Sequence, residues 1–474
     1  MITLYVAIEN QVHASAIKYA AQLLLEPFSV DIRYVTFSSQ VPSDAVMISY
    51  GKTDPKFNCK FNLFIQESQF FENYLYSRYL PRITSSKKQS VPVLYSPEEL
   101  VFNKKKSTLY TNQDLIASAF FWASRYKEIC TDERDQHNRF HVENAVNYRH
   151  NLLSVPLVDE YSVMLKNWFM LNNITLPSSE RYPDCDFIIC PSHDIDQVTR
   201  GRLECLYHEY RMLKTLPIIR LKNIAGLFAG AFYKRDVYWN FQEILDLERR
   251  HDANSTFFFL SKSGDQPDVK YNFNSRAFRS VIKSIYNNGS QIGLHGSYHS
   301  AMEARSLHDE KIFIEKATGR PISSIRQHYL RLDVKDLWNR QEKAGFSIDT
   351  SLGYARRSGF RAGLARPFFP FNFKTQQPYS ILEIPLVIMD GTYRHYNPKS
   401  PEKAWYDILP ILEKIKKHRG AASILWHNTF LVKYVKYQGW RELYEHILDW
   451  VNHNNGRNMS IEQAAEYWLN GRKP

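Results

Sequence analysis

Seven short apolar runs, separated by helical patterns over the second part of the chain, constrain the fold more than any other feature. They are Phe187 to Cys190, Ser255 to Leu260, Gln291 to Leu294, Ser323 to Gln327, Phe346 to Ile348, Ile381 to Ile388 and Ala422 to Trp426. Each has the length and apolar content of a buried strand. Amphipathic stretches such as Phe278 to Tyr286 and Ala404 to Lys417 lie between them. Short strands alternating with helices imply an α/β fold with a parallel sheet, and seven strands suit a closed or nearly closed (β/α) barrel.

Upstream, Ile2 to Ile8, Val30 to Phe37, Val46 to Tyr50 and Phe61 to Ile65 read as strands, with helical patterns at Ala14 to Leu25 and Asn112 to Tyr126. This predicts a smaller α/β domain with no glycine-rich phosphate loop and no cluster of metal ligands. Residues 132–176 read as a charged connection followed by a helix. The turn-rich stretch Pro177 to Pro183 marks a boundary, so the expected organisation is an upstream unit over 1–176 and a barrel over 184–474. At 474 residues the chain exceeds what one core usually organises.

The formal charge of +12 favours anionic company, such as an anionic glycan or a membrane surface. Its basic runs, Lys104 to Lys106 and Lys414 to Arg419, are short and not interleaved with aromatics, so nucleic acid is not expected. Five cysteines without a CxxC pair argue against a disulfide framework and for a reducing compartment. The first residues alternate like a strand and resemble no export signal. The apolar stretch Ile224 to Phe232 is too short to cross a bilayer. A cytoplasmic location is the resulting expectation.

Five of the seven runs lead into chemistry-bearing residues at their C-terminal ends, the edge where parallel α/β barrels build active sites. The first leads to Asp194 and Asp196 and the third to His295 and His299. The fourth carries Arg326 with His328 and Tyr329, the fifth ends at Asp349, and the last at His427. Two imidazoles and a carboxylate suit zinc, with positions left for water and substrate. Asp194 and Asp196 are two residues apart and point the same way, so one can ligate while the other accepts a proton. Each residue also has a plainer reading, as an Asx-turn, a satisfied strand-end histidine, or an Arg326–Asp349 ion pair. Arg361 and Asp390 follow strands and are further candidates to face a substrate. Trp426, Tyr298 and Phe360 are candidates to stack on a sugar ring.

This set of residues resembles the polysaccharide deacetylases of carbohydrate esterase family four, the NodB homology domain, over Asp186 to Trp468. The strings CPSHDID, STFFFL, GLHGSYHS, RQHYLR, GFRAG and LWHN resemble a bacterial branch found beside exopolysaccharide genes, which carries an N-terminal domain of unknown function. The resemblance implies an irregular seven-stranded barrel and metal-dependent removal of an N-acetyl group from a carbohydrate. It implies Asp194 as catalytic base, with Asp196, His295 and His299 as ligands of Zn²⁺ or another divalent metal. Arg326 then orients the base and Tyr329 offers its N–H to the oxyanion, while His427 is the general acid, held by Asp349. The family's commonest motif has adjacent aspartates, whereas Ile195 separates them here, which leaves an exchange of roles open. His328 stands where a proline is usual. A metal-dependent hydrolase of a non-sugar amide would use the same residues, and a non-catalytic glycan-binding or scaffold protein would need neither base nor acid.

Overall fold

The computed structural model describes residues 2–74, 83–84, 91–95, 102–105, 107–198, 238–261, 272–432, 437 and 439–471. Cys205, Lys106 and the stretch Ile224 to Phe232 lie outside the described residues. The upstream sheet contains β1 (Ile2–Ile8), β2 (Val30–Thr36), β3 (Val46–Gly51), β4 (Phe61–Gln66), β5 (Phe102–Lys105) and β6 (Thr108–Thr111), in the order β2-β1-β3-β4-β6-β5. All neighbours pair in parallel except the edge hairpin β5–β6. Helix Ala14–Leu25 forms over its expected span, and helices Leu115–Ala123 and Leu157–Met170 pack against it.

The downstream sheet is built from β7 (Phe187–Ile195), β8 (Thr256–Leu260), β9 (Gln291–Gly296), β10 (Ser324–Gln327), β11 (Ile348–Asp349), β12 (Leu382–Glu383), β13 (Leu386–Met389), β14 (Ala421–Leu425) and β15 (Gly456–Asn458). Eight of them follow the order β12-β11-β10-β9-β8-β7-β14-β13, and β15 pairs with the start of β7. Every pairing is parallel. Strands β7, β8 and β14 are buried along their whole length, as expected of a parallel sheet covered on both faces.

Nine strand segments thus stand where seven were expected. One extra is β15. The other arises because the run Ile381 to Ile388 divides into β12 and β13, which lie at opposite ends of the sheet although only Ile384 and Pro385 separate them. Two linking residues span at most roughly 10 Å, so the two sheet edges are drawn together and the sheet curls. Ile384 N–H donates to the Asp349 carbonyl at 2.9 Å, and Ser423 N–H donates to the Pro385 carbonyl at 2.9 Å. The chain itself bridges the seam.

One continuous apolar cluster runs from Leu4 to Val451 and joins the two sheets. The turn-rich stretch expected as a boundary is pinned to the upstream unit. Ser29 N–H donates to the Pro177 carbonyl at 2.8 Å, Ser179 N–H to that of Pro27 at 2.9 Å, and Arg181 pairs with Glu26. Arg366 pairs with Asp159 and with Glu26. Arg361, expected as a candidate to face a substrate, instead pairs with Glu128 at 2.6 Å, and Arg125 joins the same carboxylate at 2.6 Å. All three side chains are buried. Cys59, Cys185 and Cys190 are free thiols. Among the described residues no helix is long and apolar enough to cross a membrane.

Burial alone would raise the Glu128 pKa, but the charges and hydrogen bonds of Arg361 and Arg125 outweigh it and hold it at about 2. A folded-state pKa below the unfolded value of 4.5 means stabilisation present above pH 4.5 and lost as pH falls through about 2. Glu128→Gln leaves two buried guanidinium groups without their counter-charge. It should lower unfolding stability at pH 7 by about 3–5 kcal/mol and flatten the acid limb, measured by urea denaturation across pH.

Candidate metal centre and active site

Strand alternation builds the first wall of the site. Successive side chains of a strand face opposite ways, so Ser192 and Asp194 in β7 face inward and Asp196 follows on the same side. Outward-facing His193 is wholly buried, with Nε2 at 2.7 Å from Glu248, which also accepts from Tyr444 and Ser255 at 2.7 Å each. This network pins β7 to helix Phe241–Arg250. His295, one residue before the end of β9, pairs opposite Arg326 of β10, and His328 follows β10 directly. Asp390 follows β13, and His427 lies two residues past β14. All open on a cavity of about 520 Å³ or support its wall. Asp194, Asp196, His295, His328, Tyr329 and His427 are among the lining residues.

At the centre stands the Asp196 carboxylate. Its Oδ1 is 3.3 Å from His295 Nε2 and 3.7 Å from His328 Nε2, and its Oδ2 is 3.6 Å from His427 Nε2. Asp196 Oδ1 is buried and receives no well-formed hydrogen bond. Burial would raise its pKa, but the imidazoles of His328, His295 and His427 outweigh that and hold it far below the ordinary carboxylate range. His295 Nδ1 lies 2.9 Å from the Arg326 carbonyl. A carbonyl can only accept, so Nδ1 carries the proton and Nε2 is the nitrogen available to a cation.

Ligand atoms from Asp196, His295 and His328 all lie within 4.8 Å of one another. The contacts of 3.3 and 3.7 Å bracket the roughly 3.4 Å edge of a tetrahedron with bonds near 2.1 Å. An orphaned buried carboxylate oxygen and a tautomer-fixed imidazole therefore fit a divalent cation.

Two supporting pairs flank this group. Arg326 is fully buried and donates to Asp194 Oδ1 at 3.0 Å, Ser192 Oγ at 2.7 Å, Ser423 Oγ at 2.8 Å, and the Thr350 carbonyl and hydroxyl at 3.2 Å each. The Asp194 carboxylate is held in place by this cradle, with Oδ2 3.7 Å from His295 Nε2. On the other side, Asp390 accepts the His427 backbone N–H at 2.6 Å and lies 2.7 Å from His427 Nδ1. Burial lowers the His427 pKa, but the charge and hydrogen bond of Asp390, with Asp196 and Asp194 beyond, raise it to about 10.

Of the residues expected from the sequence, Asp194, Asp196, His295, Arg326, Tyr329 and His427 are brought together. His299 is not: it is exposed and outside the cavity wall, and His328 takes the third position. Past Gly296 the chain turns, with Ser297 N–H held by Glu310 at 3.1 Å, and enters the short helix Ser300–Met302. Residues four apart are neighbours on one face of a helix or of a continuous strand, and here neither joins them. Asp349 does not hold His427 either. It faces outward from β11, where Trp338 Nε1 at 3.1 Å, Gln341 Nε2 at 3.0 Å and Ser351 Oγ at 2.6 Å donate to it. By the same alternation Thr350 faces Arg326, and Asp390 takes the role expected of Asp349. Trp426 and Phe360 are fully buried, and neither they nor Tyr298 line the cavity. His328, the His427-holding role of Asp390, and Arg139 in the cavity wall were not identified from sequence. Position directly after a strand was the available signal for the first two.

A family of unknown function (DUF7033) matches residues 5–173. No curated protein matches the chain. Among solved structures, a candidate polysaccharide deacetylase from Mycobacterium smegmatis is 15% identical, with 62% of this chain and 94% of that chain covered and a TM-score of 0.40. Another candidate from Pseudomonas aeruginosa PAO1 is 14% identical, with 64% and 97% covered and a TM-score of 0.41. A CE4 family pseudoenzyme from Bacillus anthracis is 11% identical, with 60% and 66% covered and a TM-score of 0.31.

Asp390→Asn removes the anion that most favours the charged His427 ring. In the metal-free protein the His427 imidazole should then titrate about 1–3 pH units lower than in the parent, as read by ¹⁵N-resolved NMR. An unchanged titration would detach Asp390 from this role.

Proposed function

We propose that the chain is a metal-dependent hydrolase that removes the N-acetyl group of an amino sugar in a polysaccharide or its precursor. The observation that carries the reading is the convergence of a metal-competent group, Asp196, His295 and His328, between an arginine-held carboxylate and a carboxylate-held imidazole. Amide hydrolysis needs a base for the attacking water, stabilisation of the oxyanion and a proton for the leaving amine. The cavity offers one group for each.

Asp196, His295 and His328 would hold a divalent cation, Zn²⁺ in the first instance, which would supply Lewis acidity and lower the pKa of bound water to about 7. Asp194 takes the proton of the attacking water, its carboxylate oriented by Arg326. The Tyr329 N–H serves the developing oxyanion. His427, oriented through Nδ1 by Asp390, gives its Nε2 proton to the departing amine. In this reading β12 and β13 are one interrupted strand of a seven-stranded barrel over residues 184–474, with β15 added outside. The resemblance of GLHGSYHS, RQHYLR and LWHN to the exopolysaccharide-associated deacetylases favours an N-acetylated carbohydrate, handled before export, over a non-sugar amide.

The test is acetate release by the Zn²⁺-loaded protein from nucleotide-, lipid- and polymer-linked N-acetylhexosamines. Asp194→Asn should lower kcat by about 10²–10⁴-fold with metal retained. If the variant kept the parent rate, Asp194 would not be the base, and an inactive parent that still bound these glycans would indicate a binding protein. Separately, His328→Ala should abolish stoichiometric Zn²⁺ binding in equilibrium dialysis, whereas His299→Ala should leave it intact. The reverse pattern would restore His299 as a ligand.

A further inference from the structure

The upstream unit reaches the cavity through one turn. Residues 134 and 140 form an antiparallel bridge, and between them Asp135 N–H donates to the Arg139 carbonyl at 2.9 Å and Asn138 N–H to that of Asp135 at 2.8 Å. The Asp135 carboxylate locks this turn from inside, accepting the N–H groups of His137 and Arg139 at 2.9 Å each and Arg139 Nε at 2.8 Å. Arg139 is 7% exposed and lines the cavity. Its Nη1 donates to the Tyr329 carbonyl at 3.0 Å and to the Tyr396 hydroxyl at 3.3 Å.

What it grips is an unusual piece of backbone. Tyr329 and Leu330, directly after His328, have φ of 59° and 52°. The left-handed region is unfavourable for L-residues, and two in succession persist only where surrounding structure imposes them. The same turn supplies two more contacts. The His137 ring lies 4.6 Å from that of Tyr329, and Arg331 Nε donates to the His137 carbonyl at 2.9 Å. His137 Nδ1 also lies 3.2 Å from the Tyr298 hydroxyl.

We infer that the Asp135–Arg139 turn, contributed by the residues matching the family of unknown function, braces the left-handed Tyr329–Leu330 backbone and so positions His328 and the Tyr329 N–H. Arg139 is thus a positioning residue, and the upstream unit is a working part of the downstream site. The affinity and kinetic arms of the test rest on the functional reading above, and the exchange arm does not.

The experiment compares the full-length parent with Arg139→Ala and with Arg249→Ala, an exposed arginine distant in function. In the metal-free proteins, amide hydrogen exchange of the peptide spanning 328–332 should speed up at least tenfold in Arg139→Ala only, with the thermal midpoint preserved. Zn²⁺ affinity, measured by competition with a chromophoric chelator, should fall by about 10–100-fold. In acetate release, kcat should fall with KM within about threefold. Unchanged exchange in Arg139→Ala overturns the brace whether or not the parent binds metal. A rise in KM alone overturns positioning in favour of a substrate contact. A parent that binds Zn²⁺ without releasing acetate sinks the functional reading, while the exchange measurement still decides the brace.

Discussion

Withdrawing the Asp194 carboxylate fully and that of Asp196 largely from water, at and just past the end of β7, is the constraint around which the downstream structure is organised. Each ion withdrawn from water costs several kcal/mol unless partners replace the lost solvation. For Asp194 the partner is Arg326, itself buried and therefore in need of Ser192, Ser423 and Thr350 to satisfy its remaining donors. For Asp196 the partners are three imidazoles from three different strand ends. Two charges, one near the end of β7 and one directly after it, thus dictate the polar inner residues of β7, β9, β10 and β14, and of the segments that follow β11 and β13.

Much of this was legible because a curled parallel sheet places the polar ends of its strands along one edge. Asp194, Asp196, His295, Arg326 and His427 each follow or end an apolar run, and that pattern needs no three-dimensional information beyond strand direction. Helix Ala14–Leu25 was legible from its periodicity alone. Two assignments went astray for different physical reasons. His299 failed because spacing says nothing about the path of a chain after it leaves a strand. Asp349 failed on parity, since a strand of two residues gives too little alternation to say which side faces in.

Arg139 was illegible for a third reason. It lies 190 residues from the Tyr329 carbonyl it holds, in a stretch whose charged composition resembles a solvated connection. Contacts across that separation depend on how two sheets pack, and the packing is set by a shared apolar cluster and buried ion pairs such as Glu128–Arg361. The segment between the sheets is a structural strut because its polar groups are spent on its neighbours.

The seam at Ile384–Pro385 bears on how the site is gauged. Proline has no N–H to give, and a covalent tether of fixed length sets the gap between β12 and β13 in place of a ladder between those two strands. Asp390, five residues past that tether, takes its register from the pairing of β13 with β14, which shifts between Leu386 and Ile388. Because which side chains face inward follows from strand pairing, a one-residue slip of β13 against β14 would turn Asp390 to the outer face and take from His427 the carboxylate that lies 2.7 Å from its Nδ1. The aim of the His427 ring is therefore governed by the register of one four-residue strand.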